Sequence, residues 1–445
     1  MNLYPNPTVA NARVAVAREY LRNDWTGWSL LKHIGKWAFS RLPGRIVGLE
    51  APRPERLVAS DADTVIVAVN ANGGIGDYVV IARALRDLAA LSPALRFHVF
   101  CPSVESGNWV FGSLPCVEGV FDAVFLSRVR RQYDCVLIAN QFLYTTTDDE
   151  HIDLGRLARL APAFVQAIAH YTKACKWRWD VFIHHQPGLD GAFAHTAVAL
   201  GLNRYTFLQS LMGVAPGPLA LPLVCDDTIA DELSARFERW ITINTGFDPT
   251  FPTVSRYATK CYPPQHWRHF VRAFKEKCRD VAVVQIGAKT SISIPGVDEN
   301  LVAATSLPQA AAILQRSIFH VDNEGGLVHV AASLGTRSIV LFGPTSVKYF
   351  GYPGNVNLSS DVCGDCWWAT DRWMDRCPKG YRQPRCLLEL DPDHVAHVAA
   401  GEIQRATGGD TVKSEKQRWN VRPGWKADAG RGVSDWTTSQ KQESL

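Results

Sequence analysis

The pattern of apolar and polar positions divides the chain into short buried strands and amphipathic stretches. Continuous apolar runs of about four to eight residues between turn residues are typical of strands in a covered parallel sheet. The predicted strands are Thr64–Val69, Leu95–Phe100, Asp134–Ala139, Asp180–His184, Trp240–Asn244, Val281–Ile286, Ile318–Val321 and Ser338–Phe342. Helical patterns at Tyr78–Leu91 and Leu327–Leu334 alternate with them. This alternation predicts an α/β fold built from doubly wound sheets.

A segment rich in proline and glycine at residues 212–225 separates two groups of predicted strands. Such segments often mark domain boundaries. We therefore expect a helical leader at 1–60, then an N-terminal domain over 61–225 and a C-terminal domain over 226–406. Residues 407–445 are polar, glycine-rich and aperiodic, which predicts a disordered tail.

Composition sets limits on the class of protein. The chain has 445 residues, which is more than one ordinary domain contains. Hydrophobic residues make up 47% and charged residues 20%, a composition typical of globular proteins. A net charge of +4 argues against a nucleic-acid partner. The first twenty residues lack a secretory pattern and no run of about eighteen apolar residues occurs, so we expect a cytoplasmic protein. A homo-oligomer is left open.

The leader contains a basic, partly amphipathic stretch around residues 25–45. Such a helix suits a peripheral contact with the inner face of a membrane. A helix that docks on its own domain has the same pattern, and this second interpretation is favoured.

Two glycine turns are candidates for chemistry. One comprises Asp322, Asn323, Glu324, Gly325 and Gly326 and precedes a predicted helix. A glycine turn at a helix start presents free N–H groups, which suit a phosphate, and its carboxylates can bind sugar hydroxyls. The sequence therefore points to a nucleotide sugar.

The other turn runs from Gly73 to Asp77. Val79 occupies the third glycine of a dinucleotide fingerprint and no acid ends the next strand, so a nicotinamide-dependent oxidoreductase is only an alternative. A carboxylate such as Asp77 could accept the proton of a sugar hydroxyl. It could also cap the following helix, and the two roles are compatible.

Four cysteines lie close together in the C-terminal half. Cys363 and Cys366 form a Cys-x-x-Cys pair, and Cys377 and Cys386 follow. Four thiolates can hold a metal tetrahedrally. Reduced thiols without a metal are the alternative.

The stretch at 318–352 resembles the donor-binding motif of glycosyltransferase family 9, the ADP-heptose-dependent heptosyltransferases. The matching residues are Gly326, Leu327, His329, Ala331, Ala332, Leu334, Gly335 and Phe342–Thr345. The resemblance extends over roughly 64–400. It implies a GT-B fold, with two Rossmann-like domains facing a cleft, and an ADP-heptose donor.

The same resemblance implies roles for single residues. Asp77 matches the proposed base, and Lys260, in Lys-Cys-Tyr-Pro, matches the lysine that binds the donor pyrophosphate. The family acid falls on Glu324, with Asp322 two residues earlier, so either carboxylate could bind the sugar. Further donor contacts would come from Thr245, Gly325, Gly326, His329 and Thr345. No divalent ion is expected in catalysis.

The region 359–389 looks like the cysteine finger of autotransporter protein heptosyltransferases. That resemblance implies a structural iron held by Cys363, Cys366, Cys377 and Cys386, with zinc as the second choice. It also implies a protein Ser/Thr acceptor, whereas the wider family implies lipopolysaccharide or another surface glycan. The sequence thus predicts an inverting glycosyltransferase. A non-catalytic scaffold that keeps the metal finger is the alternative.

Overall fold

The computed structural model describes residues 63–140, 142–145, 154–174, 197–246, 259–367, 369–370 and 373–407. The leader predicted at 1–60 and the predicted strand Asp180–His184 lie outside these residues. The predicted tail also lies outside them, apart from residue 407, which ends a helix.

The first half of the described chain builds a five-stranded sheet. Its strands are β1 (Val65–Ala71), β2 (Leu95–Cys101), β3 (Val117–Asp122), β4 (Cys135–Ala139) and β5 (Leu143–Thr145). Their order is β3-β2-β1-β4-β5, with every pair parallel except the antiparallel β4 and β5. β1 is central and is buried on both faces, which explains its mostly apolar sequence.

The second half builds a six-stranded sheet in which all neighbours are parallel. Its strands are β6 (Trp240–Asn244), β7 (Ala282–Gly287), β8 (Glu299–Val302), β9 (His320–Asn323), β10 (Ser338–Phe342) and β11 (Val356–Ser359). The order is β11-β10-β9-β6-β7-β8. The predicted doubly wound α/β architecture is therefore confirmed in both halves.

Helices connect the strands within each sheet. They are α1 (Ile75–Ala89), α2 (Val104–Phe111), α3 (Leu126–Val129), α4 (Leu154–Leu160), α5 (Pro162–Ala174), α6 (Phe207–Met212), α7 (Thr228–Arg236), α8 (Pro264–Lys277), α9 (Leu307–Arg316), α10 (Gly326–Leu334), α11 (Val347–Phe350), α12 (Arg385–Leu388) and α13 (Pro392–Thr407). None of these helices is both long enough and apolar enough to cross a bilayer.

The proline- and glycine-rich segment between α6 and α7 contacts both halves of the chain. Trp109 Nε1 donates to the Val224 carbonyl at 2.8 Å, and Arg86 Nη1 donates to the Ala220 carbonyl at 2.8 Å. On the other side, the Leu221 amide donates to the Ser333 carbonyl at 3.3 Å. Both sheets belong to one compact unit that ends at Gly401. The domain boundary near 225 remains a prediction.

α1 and α10 follow the central strands β1 and β9 after short glycine turns. Because the carboxyl ends of parallel strands share one edge, these turns lie where open α/β sheets bind ligands. α10 ends as predicted: Gly335 has φ of +80° and closes the helix in the left-handed conformation.

Candidate active site

The N-termini of α1 and α10 meet at the candidate site. A Cβ on Gly326 would collide with Ile75 Cγ2 and lie 3.3 Å from the Gly76 amide nitrogen. A Cβ on Gly76 would in turn lie 3.2 Å from Gly326 Cα. Only glycine allows this approach, which places two positive helix ends side by side. Such a position attracts an anion.

Asp77 lies in the first turn of α1 and is held at both carboxylate oxygens. Oδ2 accepts the Gly74 amide at 3.0 Å, so the predicted capping role is present. Oδ1 accepts Arg204 Nη2 at 2.5 Å. The Asp77 side chain is still 23% exposed, whereas that of Arg204 is 2% exposed. Gly73, with φ of +122°, makes room for the carboxylate, since a Cβ there would collide with Oδ2.

Lys260 faces Glu324, with 3.7 Å between Nζ and Oε2. The pKa of Lys260 lies above its usual value: burial alone would lower it, but the charges of Glu324, Cys261, Asp77 and Asp322 outweigh burial. The lysine therefore stays protonated, and its charge lies near both Asp77 and the turn before α10. The backbone beside it is anchored, because the Tyr262 amide donates to Asn323 Oδ1 at 2.6 Å.

The two candidate sugar-binding carboxylates have different surroundings. Asp322 is completely buried, and both its oxygens accept from Asn244 Nδ2, at 3.0 and 3.1 Å. His320 Nε2 lies 3.2 Å from Asp322 Oδ2. Burial raises the pKa of Asp322, although His320 and Asn244 oppose that effect. Its hydrogen-bonding capacity is used inside the fold, whereas Glu324 faces Lys260.

The two predicted threonine contacts also differ. Thr245 Oγ1 donates to the Ile292 carbonyl at 2.9 Å and accepts from the Ile292 amide at 3.0 Å and from Gln285 Nε2 at 3.2 Å. This hydroxyl is used to hold a loop. Thr345 is 2% exposed, and its Oγ1 has no hydrogen-bond partner among the described residues. Of the two, Thr345 has the hydroxyl available for a ligand.

His329 lies in α10 beside the glycine turn of α1. A Cβ on Gly76 would lie 2.7 Å from His329 Cδ2. Its Nδ1 is 2.7 Å from the Tyr352 hydroxyl. Burial, followed by Arg83, Arg204 and Lys260, holds the pKa of His329 well below its usual range. The ring is therefore neutral.

Sequence reasoning missed Arg204, Arg83 and Tyr352. Arg204 pairs with Asp77 across 127 positions of sequence, and Arg83 Nη1 donates to the Tyr352 hydroxyl across 269 positions. All three side chains are almost fully buried. A buried arginine needs partners, but no local pattern in the sequence marks these two arginines as buried.

The four predicted metal ligands lie near one another. Burial first, and then the neighbouring Cys363, Cys366 and Cys377, raise the pKa of Cys386 to about 12. Within the described part of the chain, however, no three His, Cys, Asp or Glu side chains are arranged to hold a metal ion. The predicted metal site of the cysteine finger is therefore not formed in this structure. The donor set itself, four neighbouring thiols, suits iron or zinc.

The comparisons with known proteins agree with this arrangement. Residues 246–370 match the model of glycosyltransferase family 9 (heptosyltransferase). The glycosyl transferase family 9 structure from Veillonella parvula is similar with a TM-score of 0.50 and 15% identity, over 78% of this chain and 100% of that one. No curated protein sequence matches the chain.

Two further solved structures are similar at lower TM-scores. ADP-heptose lps heptosyltransferase II of E. coli has a TM-score of 0.46 and 15% identity, over 77% of this chain and 100% of that one. The dodecameric iron-containing heptosyltransferase TibC, solved in complex with ADP-D-beta-D-heptose, has a TM-score of 0.48 and 13% identity, over 78% of this chain and 77% of that one.

The two mainly parallel sheets and the similarity to the Veillonella structure define the fold as GT-B, as predicted. The class of protein is therefore a glycosyltransferase, since the family 9 match covers the segment that contains Lys260, Glu324 and the α10 turn. The sequence resemblance to family 9 is confirmed over those residues.

Proposed function

We propose that the protein is an inverting glycosyltransferase that moves heptose from ADP-heptose to an acceptor hydroxyl. The observation that carries the proposal is the convergence of Asp77 with Lys260, Glu324 and the two helix N-termini. Asp77, from the first half of the chain, would be the base, and Lys260, from the second half, would be the phosphate-binding cation. Such a transfer requires both groups.

The reaction would be a single displacement. The acceptor oxygen attacks the anomeric carbon and its proton passes to Asp77. The bond from the anomeric carbon to the phosphate oxygen breaks, and ADP leaves. Lys260 and the N-termini of α1 and α10 neutralise the charge on the departing diphosphate. This route needs no divalent ion.

Glu324 is the carboxylate that we assign to the sugar hydroxyls. It lies beside Lys260, and Asp322 is enclosed by Asn244 and His320. Thr345, whose hydroxyl is buried without a hydrogen-bond partner among the described residues, would add a contact to the donor. Gly325 and Gly326 would let the donor approach the backbone at the start of α10.

The acceptor hydroxyl would belong to a surface glycan, such as lipopolysaccharide, or to a protein Ser/Thr. The four-cysteine cluster would hold iron or zinc between Cys363, Cys366, Cys377 and Cys386. That metal would stabilise the loop, and no step of the transfer would pass through it.

The test is a panel of nucleotide sugars with the purified protein, read by mass spectrometry for released ADP, UDP or GDP. We expect ADP from ADP-heptose. The Asp77→Asn variant should lose at least about a hundredfold of the rate and keep its affinity for ADP. Asp122→Asn is the matched control, because it removes the charge of the residue that caps a turn after β3 and keeps an acceptor oxygen.

Release of UDP or GDP alone would contradict the heptose donor. If no donor reacts, even with candidate glycan and peptide acceptors, and no nucleotide binds, the scaffold alternative replaces the proposal. Full activity in Asp77→Asn would overturn the assignment of the base.

A further inference from the structure

Arg83 reaches from the first half of the molecule into the second. It lies in α1 and is 1% exposed. Its Nε donates to the Leu219 carbonyl, its Nη1 to the Tyr352 hydroxyl and its Nη2 to Ser333 Oγ, each at 2.8 Å. Three short bonds on three nitrogens fix the plane of the guanidinium group.

These contacts determine which way the Tyr352 proton points. Arginine only donates hydrogen bonds, so the Tyr352 oxygen accepts from Arg83. His329 Nδ1, at 2.7 Å, is then the partner in reach of the hydroxyl proton. Burial raises the pKa of Tyr352, so the hydroxyl keeps this proton.

The state of His329 follows from that bond. The ring is neutral, as described above, and a neutral imidazole carries one proton. An Nδ1 that accepts a hydrogen bond has none, so the proton lies on Nε2. His329 Nε2 lies 3.4 Å from the position that a Cβ on Gly76 would take. That edge of the ring therefore faces the junction of the α1 and α10 N-termini.

We propose that Arg83 and Tyr352 are positioning residues that hold His329 as an Nε2–H hydrogen-bond donor for the leaving diphosphate. The use of this donor rests on the proposed function, whereas its tautomer rests on the contacts and on the neutral state of the ring. A donor that is oriented before the substrate arrives needs no rearrangement as charge develops on the diphosphate. Because Arg83 belongs to α1 and His329 to α10, the donor is complete only when the two halves are in contact.

A purely structural network makes a different prediction. In that case the loss of one hydroxyl would lower stability and leave the tautomer of His329 and the rate of transfer unchanged. The distinguishing measurement must therefore report the proton on the ring.

The experiment is long-range 1H–15N NMR of protein labelled with 15N-histidine, with the His329 signal assigned by the His329→Gln variant. The wild type should show the Nε2–H tautomer. Tyr352→Phe, which keeps the ring, should populate the Nδ1–H tautomer. Tyr205→Phe is the matched control: its ring stacks on Tyr352 with 4.6 Å between centroids, and the contacts of the Tyr352 hydroxyl with Arg83 and His329 do not involve it. That control should resemble the wild type.

The second measurement is the rate of transfer in each variant. With ADP-heptose, Tyr352→Phe should lower kcat by about tenfold to a hundredfold, with a smaller effect on the Kd for ADP. Arg83→Lys, which keeps the charge but loses the planar fork, should show the same change in weaker form. Tyr205→Phe should keep the wild-type kcat.

An Nδ1–H tautomer in the wild type overturns the proposal, and this reading does not require that any variant folds. An unchanged tautomer in a folded Tyr352→Phe overturns it as well. If the tautomers behave as stated but ADP does not bind to the wild type, the positioning of His329 stands and the proposed function fails.

Discussion

Asp77 is held by two donors, the Gly74 amide and Arg204, and its side chain is 23% exposed. A single aspartate in a glycine turn is therefore both a cap and an oriented carboxylate. The sequence indicates the cap and, through the family resemblance, the base. Arg204 was not predictable, because an arginine that pairs across the fold looks like any surface arginine in sequence. Asp322 differs from Asp77. Its place in the motif suits a ligand, but both its oxygens accept hydrogen bonds from Asn244 inside the fold.

Lys260 yields the prediction at the residue scale. Lys260→Gln should raise the Kd for ADP roughly 10- to 100-fold, because a charged hydrogen bond contributes about 1.5–3 kcal/mol. Calorimetric titration with ADP measures it. Lys277→Gln, an exposed lysine in the last turn of α8, is the control and should bind as the wild type does.

The pH dependence has a definite sign. Since the pKa of Lys260 is raised, its charge is fully present below the ordinary lysine value of about 10.4 and is lost only as pH rises above that value. ADP affinity should therefore show no loss from Lys260 between about pH 6 and 9. A loss in that range, seen in the wild type and absent from Lys260→Gln, would contradict the assignment.

At the scale of elements, the pattern of apolar residues identified the central strands and missed the edges. β1, β6 and β10 are buried on both faces, so their sequences are mostly apolar. β3, β8 and β11 lie at sheet edges and are mostly half exposed. An edge strand has one pairing partner and keeps polar residues, so hydrophobic periodicity does not reveal it.

The contact between the N-termini of α1 and α10 can be tested by adding one methyl group at a glycine. Gly326→Ala should destabilise the protein by about 1–3 kcal/mol, because the new Cβ collides with Ile75. Gly401→Ala, in α13, meets nothing within 4 Å and should stabilise by about 0.5–1 kcal/mol, the usual gain in a helix. Urea unfolding measures both. Equal effects of the two variants would show that the helix ends do not touch.

The cysteine loop is tied to the segment of Lys260. Thr259 donates from its amide to the Met374 carbonyl at 2.8 Å and from Oγ1 to the Trp373 carbonyl at 2.6 Å. These contacts join the stretch between Cys366 and Cys377 to the neighbour of Lys260. A metal that orders this loop would therefore also order the lysine.

Metal analysis of protein purified without oxygen should find about one iron or zinc per chain, the stoichiometry of a four-thiolate site. Cys386→Ser should lose the metal and lower the melting temperature, because the loop loses its cross-link. Cys135→Ser, a buried cysteine of β4, should keep it. Metal-free wild type, or metal retained in Cys386→Ser, would count against the site.

At the scale of the whole molecule, Arg83 joins the two halves through buried hydrogen bonds. We expect wild-type thermal unfolding to be one cooperative transition, with matching calorimetric and van't Hoff enthalpies. Arg83→Met should lower the midpoint and broaden or split that transition, because buried acceptors lose their donor. Arg96→Met is the control, because it removes bonds to the Pro93 and Leu95 carbonyls and an ion pair with Glu118, all within the first half of the chain. A single unchanged transition in Arg83→Met would contradict the coupling of the halves.

The sequence by itself determined the α/β class, the central strands, the donor motif and the candidates Asp77 and Lys260. The class and the strands depend on periodicity, whereas the donor motif and the two candidates depend on the family resemblance of short motifs. Neighbouring residues encode both. Only the tertiary structure decided that Glu324 rather than Asp322 faces Lys260 and that Thr245 holds a loop. It also decided that Arg204 pairs with Asp77 and Arg83 with Tyr352. Those outcomes depend on contacts between residues far apart in the chain, where burial and the geometry of a donor and its acceptor, rather than local pattern, determine what each side chain can do.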